Sequence, residues 1–216
     1  MAITVITPAS NKNLTTVSAV TQHLNISGSE AATNSDYLQA LVNRASSFIE
    51  NYCNRVFAEE EVDETLPSTG EPRLLLSRLP IVSVTSATYK GEVEDATNYY
   101  IEDADAGFLF NKKGWRSTTV YGRYIDYYPT SYAVDDWTIR YTGGYKLPGE
   151  TDRNLPHDIE LACILIVAQW YKEDKDTRSN IRKLKIGDAE ETYSSMNNLT
   201  LRQDVYDILD RWVITT

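Results

Sequence analysis

Residues 155–171 read LPHDIELACILIVAQWY. Between Asp158 and Tyr171 the strongly polar side chains are Glu160 and Gln169 alone. As a helix the stretch is apolar almost all the way round, the pattern of a rod covered by its neighbours rather than one lying on a surface. Its apolar run is too short to span a bilayer, which takes about 20 residues. Pro156 suits a first helical turn, and Asp158 places negative charge where a helix N-terminus favours it. The run Lys172-Glu173-Asp174-Lys175-Asp176 ends the rod in solvent. The rest of the chain must supply the surfaces that cover it.

Amphipathic helices lie on both sides of the rod in sequence. Upstream, Ser35 caps a helix in which Leu38, Leu41, Val42, Ala45, Phe48, Ile49 and Tyr52 recur at helical spacing, ending around Asn54-Arg55. Downstream, Asn198 or Thr200 caps a last helix with an apolar stripe of Leu201, Val205, Ile208, Leu209 and Trp212. A shorter helix carries Val17, Val20 and Leu24, capped by Thr15 or Thr16 and stopping near Asn25 and Gly28. Residues 28–34 read as a polar loop, 1–13 as a short polar arm and 213–216 as a β-branched tail.

Helical periodicity is lost from residue 57 to about 149. Short runs rich in β-branched and aromatic residues alternate with turn formers, which predicts antiparallel strands over 73–76, 81–89, 99–102, 108–110 and 137–142. Leu79-Pro80 and Gly143-Gly144 punctuate them. Residues 115–132 hold Trp115 and five tyrosines, Tyr121, Tyr124, Tyr127, Tyr128 and Tyr132, and read as a strand followed by a long loop. No Pro- or Gly-rich linker divides the chain. The expected fold is therefore α+β: a bundle of about four helices with an inserted antiparallel β subdomain. Residues 1–216 form a single domain, with a helical core from 14–56 and 154–213 and the β insertion at 57–150.

The chain has 216 residues, 15 tyrosines and a net charge of −10. So acidic a protein is a poor general binder of nucleic acid or of an anionic membrane, yet it can line a duct through which DNA slides without sticking. Cys53 and Cys163 both sit in apolar helical patterns and read as small buried thiols suited to a reducing cytoplasm, with a disulfide as the alternative. Residues 1–8 lack the basic start and the long apolar core of a signal peptide.

No catalytic, cofactor-binding or metal-binding residue is assigned. His23 and His157 stand in helix-terminal contexts with no Ser, Cys or Asp motif beside them, and read as helix-end or surface side chains. The Gly pair within residues 141–145 has no Lys-Ser/Thr after it, so it is no phosphate-gripping loop. Residues 102–107, EDADAG, alternate acids before a glycine, but the spacing of a calcium loop is wrong and a solvated hairpin turn explains them. Zinc-type Cys/His spacing is absent.

Three groups remain as contact candidates. Arg178, Arg182, Lys183 and Lys185 form a basic cluster that either touches DNA phosphates, weakly and with strong salt dependence, or is a solvated or intersubunit loop paired with Glu190 or Glu191. Trp115, Tyr121, Tyr124, Tyr127 and Tyr128 suit sheet packing or subunit contact, with a sugar-binding platform as the alternative. Trp212 either closes the helical core or, exposed with Val213 and Ile214, is an apolar anchor.

Taken in order, the segments HLNISG, YLQALVNRASSFIENYCNR, LLLSRLPIVSVTSATYKG, WTIRYTGGY, LPHDIELACILIVAQWY and IGDAEETYS, closed by a capped helix, make a recognisable set. From about residue 14 to 212 the chain resembles the head–tail connector, or adaptor, proteins of tailed bacteriophages, some of them called DNA-packaging proteins. That resemblance implies a structural virion protein without enzyme activity or cofactor. It implies a ring of copies, usually a dodecamer, at the neck of the virion under the capsid portal protein. The ring extends the DNA channel and seats the next connector, a stopper or a tail component, with DNA passing through and no membrane involved. The protein would be made in the bacterial host cytoplasm. The C-terminal stretch would reach the portal, which assigns docking to Leu209, Trp212, Val213 and Ile214. Two rival readings stand beside it: a glycan- or host-surface-binding phage module built on the tyrosine-rich β region, and a small hydrolase.

Overall fold

The structure is a computed structural model and describes residues 2–116, 135–175, 183–186, 189–192 and 201–214. The chain divides into two units, Met1–Asn11 with Val56–Lys146, and Lys12–Arg55 with Leu147–Thr216.

The first unit is all β among its described residues, apart from a 3-10 turn at Ala96–Asn98. Its strands are β1 (Ala2–Thr7), β2 (Glu60–Pro67), β3 (Arg73–Leu75), β4 (Ile81–Tyr89), β5 (Glu92–Val93), β6 (Tyr99–Asp103), β7 (Phe108–Asn111) and β8 (Asp135–Gly143). They form a five-stranded sheet in the order β1-β2-β8-β4-β5 and a three-stranded sheet β3-β7-β6, antiparallel throughout. The inner faces share one core. Val62 and Leu66 of β2, Ile81 and Ala87 of β4, Trp137, Ile139 and Tyr141 of β8, and Leu74 and Leu109 of the smaller sheet meet in it with Trp115. Trp115 and Trp137 pack edge to face with centroids 4.8 Å apart. Such aromatic pairs contribute about 0.5–1.5 kcal/mol beyond the area they bury.

The acidic hexapeptide EDADAG makes a hairpin turn between β6 and β7, where Asp103 Oδ1 accepts the Ala106 N–H at 2.9 Å. Leu79-Pro80, which is cis, turns the chain into β4. The YTGGY segment ends β8. Gly144 sits at φ +113°, and Tyr145 bonds back through its N–H to the Phe57 carbonyl at 2.7 Å. A Cβ on Gly144 would stand 2.4 Å from the Ala58 oxygen, so only glycine fits this close approach.

The second unit holds α1 (Val17–Leu24), α2 (Gly28–Thr33), α3 (Ser35–Cys53), α4 (His157–Lys175) and α5 (Gln203–Leu209), with an antiparallel hairpin of β9 (Lys183–Ile186) and β10 (Ala189–Thr192). The rod is α4. It packs against α1, α3 and α5. Ile159, Ala162, Cys163, Ile166, Val167, Ala168 and Tyr171 are its buried side chains, while Leu161 stays exposed. Thr16 caps α1 by accepting the Ala19 N–H, and Asn25 and Asn54 end α1 and α3 in the left-handed conformation that asparagine tolerates. Both cysteines are free and buried, as their apolar settings predicted. Burial pushes the Cys53 thiol up to about 11 and the Cys163 thiol up to about 12.

Several local expectations change. Residues 2–7 of the expected arm are strand β1, paired with β2. Residues 28–34, expected as a loop, contain α2, held by the Ser27 hydroxyl cap and by the Tyr171 hydroxyl donating to Glu30 at 3.0 Å. Among the described residues the bundle has five helices, α2 being the one added to the expected four or so. α3 starts at Ser35 with Asn34 in the cap position, and that cap makes no side-chain hydrogen bond. α5 starts at Gln203, beyond the expected Asn198 or Thr200, and runs into a 3-10 turn at Asp210–Trp212.

Candidate functional site

The C-terminal tail is fixed to the helical unit by three groups. Leu209 is fully buried, the last inward residue of α5. Trp212 is half-buried, donates its indole N–H to Asp158 Oδ2 at 3.0 Å, and has the Arg55 guanidinium 5.6 Å above its ring. The Ile214 N–H donates to the Cys53 carbonyl at 3.0 Å. Val213 and Ile214 are half-buried and present apolar side chains at the end of α3. The buried Leu209 side chain packs the unit, whereas Trp212, Val213 and Ile214 keep accessible surface.

Beside this tail runs a ridge of aromatic rings. Trp170, Phe48, Tyr52 and Tyr206 follow one another with centroids 6.4, 6.1 and 5.6 Å apart. Arg44 lies 5.1 Å over Trp170, and Asn43, Ser47 and Asn51 complete a surface depression of about 430 Å³. The Tyr52 hydroxyl donates to Asp210 Oδ1 at 2.5 Å. That bond to a carboxylate, then burial, then the nearby negative charge push the phenol up to about 12. Tyr37 does the same with Asp174, and burial first, then the bond, raises it to about 12.

In the β unit the polar interest is internal. Glu64 points into the core from β2, fully buried. Its carboxylate accepts the Tyr141 hydroxyl at 2.6 Å, the Ser77 N–H at 3.0 Å and the Ser77 hydroxyl. The Arg78 N–H in turn donates to the Tyr141 oxygen at 2.9 Å. Burial, then the charge of Glu64, raises the Tyr141 phenol far above its ordinary value. Three donors on one carboxylate satisfy a group that would otherwise be costly to bury. This network locks β2, β8 and the turn before β4 together; sequence reasoning missed it because β2, EEVDETLP, shows no apolar alternation.

Trp115 is fully buried, with its indole N–H on the Leu109 carbonyl at 3.4 Å. It packs the sheets, the first of the two roles expected of it. Tyr121, Tyr124, Tyr127 and Tyr128 lie outside the described residues, as do Arg178 and Arg182. Lys183 and Lys185 fall on β9, where the register sets Lys185 opposite Glu190 of β10. His23 is in the last turn of α1, and His157 opens α4 with its ring 89% exposed. Among the described residues no three metal-ligating side chains gather, and no helix is long and apolar enough to cross a membrane.

The model of a family described as head completion protein matches residues 13–210. Solved structures with a similar fold include a chain in the neck of an empty gene transfer agent particle computed with C6 symmetry, with a TM-score of 0.56 at 16% identity. Another is in the neck of the native particle computed with C12 symmetry, with a TM-score of 0.55 at 16% identity. A third is in the virion of the native particle, with a TM-score of 0.53 at 18% identity. Each alignment covers 100% of this chain and 97% of the other. No curated protein matches in sequence.

Proposed function

This chain belongs to the head completion protein family, and we propose that it is a structural head–tail connector of the virion neck that works as a ring seated under the capsid portal. The observation that carries the reading is coverage: the family match takes in the helical unit through α5 and the whole inserted part of the β unit. Similar folds standing in necks reconstructed with C6 and C12 symmetry support a ring of copies.

In this reading one face of the ring meets the portal and the other meets the next connector or a tail component. DNA passes through the middle. The net charge of −10 suits that role, since an inner wall of mostly negative charge limits adhesion of the phosphate backbone. Trp212, Val213 and Ile214 are the portal-docking surface, fixed in place by Asp158, Arg55 and Cys53. The β9–β10 hairpin, with Arg178 and Arg182 before it, faces the channel or the neighbouring copy.

Capture by the portal protein of the same particle tests this. The parent chain is expected to bind, and Val213→Asp with Ile214→Asp is expected to abolish binding while the chain melts as before. Unchanged capture of the variant removes the tail from the docking role. Absence of the parent chain from assembled necks removes the connector reading altogether.

A further inference from the structure

The five-stranded sheet has its charges in an unusual place. Sheets commonly protect their edges with charged side chains and keep the inner strands apolar. Here the edge strand β1, AITVIT, carries no charge, and neither does β4, IVSVTSATY. The strands between them carry the charges: Glu60, Glu61, Asp63 and Glu64 on β2, and Asp135, Asp136 and Arg140 on β8.

Both uncharged strands have an open side. Among the described residues no strand pairs with β1 on the side away from β2. Among the described residues, backbone hydrogen bonds reach the other side of β4 at its ends: β5 pairs with Thr88 and Tyr89, the Ile81 N–H bonds to Ala104, and the Ala87 carbonyl accepts from Glu94. Among the described residues no strand pairs with residues 82–86 on that side, although β6 passes close to β4. Of the exposed large apolar side chains among the described residues, Ile3, Val5 and Ile6 lie on the first edge, and Val82 and Val93 on the second.

We infer that copies join edge to edge through this sheet, β1 of one copy adding to residues 82–86 of β4 in the next. The inference rests on the ring reading above and names the contact that closes the ring. Three observations carry it. Copies of a chain with net charge −10 repel one another, and these two strands are where they can meet without charge. β1 and β4 run in opposite directions, because each neighbouring pair in β1-β2-β8-β4 is antiparallel. A head-to-tail repeat of the sheet therefore makes the junction antiparallel as well, the pairing the sheet already uses. Finally, the contact joins two different surfaces, the heterologous geometry a cyclic ring needs; pairing β1 with β1 would stop at a two-fold dimer.

A bifunctional maleimide of short reach, applied to particles carrying Val5→Cys with Val82→Cys, tests the contact. Cys53 and Cys163 are fully buried, so the parent chain is expected to give no product. The double variant is expected to give a ladder rising one copy at a time, and Val5→Cys alone is expected to give none. Linked pairs from Val5→Cys alone mean a two-fold β1 contact and overturn the proposal. So does a double variant that is present as a ring in the neck yet yields no ladder. Val5→Lys is the second arm: its monomer is expected to melt like the parent and to be lost from necks, and incorporation at the parental level overturns the proposal. A neck without any ring of this chain overturns the functional reading instead, and this contact with it.

Discussion

Trp212 donates its indole N–H to Asp158 Oδ2 at 3.0 Å, tying the last aromatic residue of the chain to the first turn of the buried rod. The bond sets where Val213 and Ile214 emerge. Trp212→Phe keeps an aromatic ring, though a smaller one, and removes the donor; it is expected to cost about 1.5 kcal/mol, the low end for a bond to a carboxylate because the site is half-buried. Urea unfolding measures it. No change in the midpoint would mean that packing alone holds the tail.

In the β unit, Tyr141→Phe removes a donor from Glu64 and the acceptor of the Arg78 N–H. Both are left short of partners in a buried setting, so the expected loss is about 1–3 kcal/mol. Equilibrium denaturation reads it directly. A neutral outcome would show that the network does not lock the two strands and the turn.

Tyr52 and Tyr37 give the protein an alkaline limit. Each phenol is raised from its ordinary value of 10.0 to about 12 in the fold, so the folded state holds its protons more tightly than the unfolded chain. Their contribution is complete below pH about 10 and is lost as pH rises through about 12. Stability should therefore fall across that window, and Tyr52→Phe should flatten part of the fall. Urea midpoints at several alkaline pH values, with phenolate absorbance as the second signal, check it; an unaltered slope in the variant contradicts it.

Gly144→Ala should be among the most damaging single-methyl changes in the chain. The backbone sits at φ +113°, and the added carbon would meet the Ala58 oxygen at 2.4 Å. Strain at such a position costs roughly 1–3 kcal/mol before the overlap is counted. A thermal melt of the variant within error of the parent would refute that account of the YTGGY segment.

Much of the fold is legible in the sequence where one physical signal dominates. The strand at residues 81–89 and the rod α4 stand where pattern alone predicted them, because β-branched density and an unbroken apolar run are unambiguous. β2 was invisible because its inward residues are Glu60, Val62, Glu64 and Leu66, and two carboxylates in a core defeat the apolar alternation. β1 was read as an arm because it is exposed along its whole length and so shows no buried face. α2 buries nothing and is held by a hydroxyl cap and a distant tyrosine, neither visible in local spacing. At the candidate site, Trp212 could be nominated from sequence, but its partners Asp158 and Arg55 lie far along the chain and meet it only in the fold.

Imaging the particle vertex with a label on this chain tests the central claim most directly. The account predicts a closed cyclic ring of this protein at the neck, between portal and tail, with a channel along its axis. Label on the capsid shell or at the tail tip, or a neck built without this chain, would contradict it.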